Sequence, residues 1–330
     1  GGLNKHSPLT SLFHHGLITK ESNNFRIESF AETSDGTIWL SSEKQGLYSL
    51  KMDGRLKKTN IPLNTNIRQV FANNTSHLWL RLDDNRVFKL DPSNNKLTES
   101  PNWSNSSDYS TDSILTIIKD DFWYIDDAGV LTNYQTDNEE ITSYPMNKTE
   151  RIINFQLTNE NTLWILTNNN QIVTFDLQNN TFNNINVKLP ETLNDSYGKK
   201  LRVSKNWVWV GSGINGIALI NKQTNQVKTF DENNGLPNSF IASILTDEKE
   251  NAWLATNTGI VKINPFTNTI TKFDKDFSIN KSEFFEYSAL KSSTNQLFFG
   301  SPTGYYQFLP SDISQVTQKI EKPLFINLYV

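Results

Sequence analysis

Apolar side chains fall at every second position in short runs along the chain, as in LYSL (47–50), IVTF (172–175), IALI (217–220) and IVKI (260–263). Each run leads into a polar turn, such as DPSNN (91–95) or NKQTN (221–225), and then into a shorter, wetter run such as QVKTF (226–230) or TITKF (269–273). Alternation bounded by Asn, Asp and Gly marks a β-strand with one buried face. A further apolar run, as in IESFAET (27–33) or IASILTD (241–247), comes before a strand that carries a tryptophan. Four strands in that order, innermost first, make one unit.

The unit recurs. Its anchor aromatics are Trp39, Trp79, Trp123, Trp164, Trp209, Trp253 and Phe298, separated by 40, 44, 41, 45, 44 and 45 residues. That period suits one four-stranded propeller blade of roughly 40–50 residues. Six or seven positions after each anchor stand Gly46, Asn85, Gly129, Asn170, Gly216, Gly259 and Gly304. Only Gly and Asn occur there, and these tolerate the positive φ that a tight hairpin demands. The expected fold is all-β: a seven-bladed β-propeller with four-stranded antiparallel blades. The anchors are expected between neighbouring blades, and the five glycines at the hairpins, all as structural residues.

The seventh unit has no outer strand after YYQFLPSDI (305–313), while SPLTSL (7–12) has the pattern of one. This segment is expected to pair onto the last blade and close the ring, covering an open sheet edge. Residues 1–6, which begin Gly-Gly, read as a tag remnant or flexible start, 7–318 as the propeller, and 319–330 as a linker. Trp207 alternates with Trp209 and is expected to add to the packing. Trp103, in the polar excursion SPNWSNSSDYS (100–110), lies outside the repeat.

Composition removes several classes of chemistry. The 330 residues contain no cysteine, which excludes disulfides, thiolate metal sites and cysteine nucleophiles. Net charge is −4 with acids and bases interspersed, so no basic footprint for nucleic acid appears. No apolar run approaches the roughly 18–20 residues of a membrane span, and no membrane insertion by this segment is expected. The four histidines, His6, His14, His15 and His77, do not pair at metal-ligand spacing on a strand, and no metal or cofactor is expected. A propeller of the streptogramin-lyase kind would need a histidine base with acidic metal ligands. TSDGTIW (33–39) suggests a sialidase Asp box, but Asp35 and Gly36 are adjacent where the box separates them, so a β-turn is the reading. The pairs Asp83–Asp84 and Asp126–Asp127 would serve a glycosidase only at a set separation in space.

The unit GLPNSFIASILTDEKENAWLATNTGIVKINPFTNTITKF (235–273) resembles the two-component regulator propeller repeat, as does SFAETSDGTIWLSSEKQGLYSL (29–50). EYSALKSSTNQLFFGSPTGYYQFLPSDI (286–313) resembles the last blade of such propellers, and KPLFINLYV (322–330) the first strand of the immunoglobulin-like domain that follows them. The resemblance implies a periplasmic sensor region ahead of a membrane span and a histidine kinase or other output module. It also implies an oligosaccharide ligand or similar glycan fragment, and no enzymatic activity in this domain. Implied partners are that small ligand, the adjacent immunoglobulin-like domain and a second copy within the full-length receptor.

In a propeller the hairpins after the anchor strands and the loops leading into the inner strands share one face. Candidate ligand-binding residues on that face are Lys44, Arg68, Arg81, Arg86, Arg151, Lys200, Arg202, Asn238, Phe240, Phe285 and Tyr305. Arginine forks suit an acidic or sulfated sugar, and an aromatic platform with amides suits a neutral one. Composition leaves both open. A scaffold that serves assembly without a small ligand is the alternative reading, and a lyase or glycosidase is a third.

Overall fold

The computed structural model describes residues 12–16, 26–43, 45–72, 76–100, 115–118, 121–147, 150–159, 161–193, 198–279, 284–286 and 288–313. These form 28 strands in seven four-stranded antiparallel sheets. A short strand, β1 (His14–Gly16), comes first. Blade one is β2 (Ile27–Glu32), β3 (Ile38–Ser42), β4 (Gly46–Leu50) and β5 (Leu56–Thr59). Blade two is β6 (Ile67–Ala72), β7 (Leu78–Leu82), β8 (Val87–Asp91) and β9 (Lys96–Glu99). Blade three is β10 (Leu115–Ile118), β11 (Asp121–Ile125), β12 (Leu131–Tyr134) and β13 (Ile141–Tyr144). Blade four is β14 (Ile152–Asn159), β15 (Thr162–Thr167), β16 (Gln171–Asp176) and β17 (Thr181–Lys188). Blade five is β18 (Lys200–Val203), β19 (Trp207–Gly211), β20 (Ile217–Asn221) and β21 (Val227–Phe230). Blade six is β22 (Ser243–Thr246), β23 (Ala252–Thr256), β24 (Gly259–Ile263) and β25 (Ile270–Phe273). Blade seven is β26 (Ala289–Lys291), β27 (Leu297–Ser301) and β28 (Gly304–Phe308), completed by β1.

The blades share one register. Each anchor pairs with an inner-strand residue: Ala31 with Trp39, Phe71 with Trp79, Thr116 with Trp123, Gln156 with Trp164, Arg202 with Trp209, Leu245 with Trp253 and Leu290 with Phe298. All seven hairpin residues that the repeat singled out have positive φ, from 59° at Asn170 to 137° at Gly304.

The core lies between blades. Seven apolar clusters each join one blade to the next, and each holds one anchor or packs against it. Trp253 of blade six, for instance, packs with Phe299, Tyr306 and Phe308 of blade seven, and Phe298 of blade seven with Ile27, Phe30, Leu40 and Tyr48 of blade one. Burying one such aromatic removes roughly 150–250 Å² from water, worth about 4–6 kcal/mol before the entropic cost of ordering it. Local polar bonds fix two of the anchors in place: the indole N–H of Trp253 donates to Asp247 at 2.9 Å and that of Trp39 to Thr33 at 3.1 Å. Asp35 of the TSDG turn accepts from Thr33, Thr37 and Lys51. Burial pushes its carboxyl up, but these bonds outweigh that and hold it well below the usual carboxylate range. That use is structural, as a turn reading requires.

The ring is closed by an N-terminal strand, but one placed later than SPLTSL. β1 pairs with β28 through His14–Gln307, His15–Tyr306 and Gly16–Tyr305. Residues 7–11 lie outside the described residues, and Leu12 is in a bend. Side-chain fit explains the shift to FHHG. Phe13 enters the blade six–seven core, 5.2 Å from Phe273 and 4.6 Å from Phe308 between ring centres. His15 stacks on Tyr306 at 4.5 Å. Gly16 leaves room for the Tyr305 ring, where a Cβ would fall 2.2 Å from Cζ.

Two measurements test this closure. Phe13→Ala should lower unfolding stability in urea by about 3–5 kcal/mol, the cost of emptying a buried aromatic site; a loss under about 1 kcal/mol would mean that the strand is not part of the cooperative unit. Tyr305 is buried beneath Gly16, and burial pushes its phenol up to about 12. A folded-state pKa raised above the unfolded value of about 10 gives stability that is complete below pH 10 and lost as the pH climbs. Wild-type stability should therefore fall relative to Tyr305→Phe only above that pH, as unfolding curves across the alkaline range will show.

Candidate functional site

Backbone bonds place the hairpins after the anchor strands beside the loops that lead into the inner strands: Glu43 N donates to Arg26 O at 3.0 Å, Asp83 N to Asn66 O at 3.1 Å and Gly216 N to Ser239 O at 2.8 Å. This is the top face, where the inner strands open from the central channel.

β18 carries the most informative pair. Leu201 and Val203 face the blade four–five core, so Lys200 and Arg202 share the opposite side of the strand. Lys200, buried at the top of the strand, reaches past blade six to Glu286 in the loop leading to blade seven, at 2.8 Å. It also donates to the carbonyl of Gly198. Gly198 has φ of 62°, and a Cβ there would sit 3.0 Å from the lysine Nζ and 3.1 Å from the carboxylate, so glycine keeps this corner open. Next to Glu286, Phe285 lies under the Arg26 guanidinium, 4.1 Å from the ring centre. Arg26 pairs with Glu28 at 2.8 Å, and Arg68 with Asp83 at 3.7 Å. Burial pushes the Glu28 carboxyl up; Arg26 and Arg68 oppose the shift, and Glu43 and Asp83 add to it. The top face therefore holds a line of mixed charge running from blade two through one and seven to five.

Arg202 sits one pleat below Lys200 and differs from it. Its guanidinium makes no hydrogen bond or ion pair among the described residues. Desolvation alone lowers its pKa, to about 10, so it keeps its charge at neutral pH, and the residue is only partly buried, with some of its surface left to solvent. Gln156, at the matching place in blade four, instead exchanges hydrogen bonds with Val203 of the next inner strand at 3.2 and 2.7 Å.

The remaining predicted residues are spread out. Arg81 is buried in β7 and donates to Asn85 at 3.2 Å, supporting its own hairpin. Arg86 pairs with Asp84 at 2.8 Å and lies over Phe88. Arg151 donates to the carbonyl of Asp127. Asn238 accepts from the backbone of Phe240, which packs against the blade six–seven core. Tyr305 is buried at the closure, away from solvent. Lys44 and Trp103 lie outside the described residues. The structure thus brings Arg68, Lys200 and Phe285 onto this line, leaves Arg202 below Lys200 without a bond to them, keeps Arg86 and Asn238 in their own hairpin and loop, and ties Arg151 to the hairpin of blade three. Arg26, Glu28 and Glu286 were missed. The signal for two of them was RIESF (26–30), where two charges flank the start of an otherwise apolar inner strand.

Among the described residues no three His, Asp or Glu side chains stand where they could hold a metal ion, and no helix is long and apolar enough to cross a membrane.

No protein-family model matches the chain. Over 83 residues, 25% of its length, it is 34% identical to histidine kinase P4 of Formosa agariphila, and that stretch is 6% of the kinase. The fold is shared with the extracellular domain of a putative hybrid two-component system from B. thetaiotaomicron, at 17% identity and a TM-score of 0.68 over 93% of this chain and 42% of that one. A second such domain from the same organism gives 17%, 0.67, 90% and 39%. A streptogramin B lyase gives 17% and 0.66 over 91% of this chain and 99% of the lyase. The chain therefore spans a small fraction of the curated relative and about two fifths of the sensor domains, and at these identities the solved structures speak for the fold. In a quarter of its sequence and in its whole fold, this seven-bladed propeller is similar to proteins of two-component sensing, the resemblance that its repeats carry.

Proposed function

We propose that this propeller is the ligand-sensing part of a receptor for two-component signalling, that it works outside the cytoplasm, and that it binds an oligosaccharide bearing carboxylate or sulfate groups at the top of its channel. Arg202 carries the reading. Its guanidinium has no counter-charge among the described residues and is only partly buried, so a ligand anion in the channel mouth can reach it. Its planar fork matches a carboxylate or sulfate through two parallel bonds. On the same top face, the edge and remaining face of Phe285, whose other face lies under Arg26, would meet a sugar ring, and Lys200 and Glu286 tie blades five and seven together where a ligand would touch both. A ligand that resets this ion pair gains a grip on two blades of a stiff ring, which is what a sensor needs in order to pass on binding. Recognition of this kind needs no acid, base or nucleophile, so we read the domain as a binding module and not an enzyme.

Thermal unfolding with tetragalacturonate and with maltotetraose tests this. At one hundred times its dissociation constant a ligand adds about 2.7 kcal/mol to stability. The acidic sugar should stabilise and the neutral one should not, and Arg202→Gln should weaken binding by about tenfold or more. No stabilisation by acidic oligosaccharides, or equal stabilisation of the variant, would contradict the proposal.

A further inference from the structure

The bottom face carries the turns between inner and anchor strands and those between third and outer strands. Between blades five and six they frame an open cleft of about 600 Å³, within the roughly 300–1,000 Å³ of small-molecule sites. Trp207 and Phe266 meet there edge to face, with ring centres 5.7 Å apart and planes at 81°. Neither aromatic is called for by the repeat. Two residues before the anchor, where blade five has Trp207, the other blades have Thr37, His77, Asp121, Thr162, Asn251 and Gln296. At the turn position of Phe266, blades one to five have Asp53, Ser93, Asp137, Gln178 and Gln223. Two aromatic exceptions to a polar pattern, on different blades, have become neighbours.

The setting is rigid and wet. Phe266 is 61% exposed. Its turn is fixed by Asn264, whose side chain accepts from the backbone of Phe266 at 2.9 Å and of Thr267 at 3.2 Å. On the other wall, Asn206 is held by Glu250 through two bonds of 2.6 Å. Lys222 lies over Trp164 and donates to Ser204 O at 3.2 Å. Lys205, Lys222 and the amide of Gln223 line the cleft, and no carboxylate does; Glu250, behind Asn206, leaves the two lysines with one positive charge in excess. An apolar partner would be repelled by this fringe, whereas a pyranose presents a C–H face to an aromatic ring and hydroxyls to amides and ammonium groups.

We infer that this cleft is a second saccharide site, separate from the channel mouth, which takes a sugar residue carrying a carboxylate or sulfate, with its ring against Phe266 and its anion facing Lys205. The inference does not depend on the proposed channel ligand, and one titration keeps them apart. Tetragalacturonate is titrated calorimetrically into the wild type, Phe266→Ser and Arg202→Gln. Because Phe266 is exposed and serine occupies the matching turn position in blade two, the first variant keeps its fold. Two sites are expected in the wild type, with the bottom one weakened about tenfold or more by Phe266→Ser and unaffected by Arg202→Gln. A single site abolished by Phe266→Ser alone supports the cleft and overturns the channel proposal. A single site abolished by Arg202→Gln alone overturns the cleft. No binding, or binding indifferent to Phe266, overturns it too, as does a sedimentation shift from dimer to monomer on Phe266→Ser, which would make the cleft a contact between copies.

Discussion

Every blade of this protein is incomplete without the next. A four-stranded sheet buries its anchor aromatic only against the neighbouring blade, so among the described residues the apolar cores lie at the seven seams and none sits at the centre. A ring held in this way is as strong as its last seam. That seam depends on β1 completing blade seven and on Phe13 filling the gap beside Phe273 and Phe308. The first and last described strands meet in one blade, and the circle then behaves as one stiff body.

Stiffness explains how the top face can hold charge in costly positions. Lys200 and Glu286 belong to blades five and seven, and only a closed ring keeps them at 2.8 Å. Arg202, partly buried one pleat below Lys200, has no hydrogen-bond or ion-pair partner among the described residues. Its counterpart Gln156 is used in joining inner strands, so Arg202 departs from the bonding at the matching place in blade four.

The architecture was legible because it is repeated. Anchors and hairpin residues each occur seven times, and Asn85 and Asn170 take positive φ, as the glycines at the other hairpins do. Closure was legible as a vacancy in blade seven but not in its place. Alternation favours SPLTSL, while the strand is set by the fit of Phe13, His15 and Gly16 to Phe308, Tyr306 and Tyr305, which no local pattern reports. The site was legible only as a face. Arg81 and Tyr305 turn inward, Arg86 is engaged within its hairpin and Arg151 reaches the hairpin of blade three, because charge and residue type do not tell which partner lies across a seam. Glu286 was missed for the same reason: its partner, Lys200, is 86 residues earlier, on the other side of blade six.

Hydrogen exchange of the protein with and without saturating tetragalacturonate tests the central claim most directly. Binding at the channel mouth predicts slowed exchange in residues 26–28, 198–202 and 284–286, with the outer strands unchanged. Protection confined to the bottom face, or none at a concentration that saturates binding, would contradict a sensor that reads its ligand through Arg202.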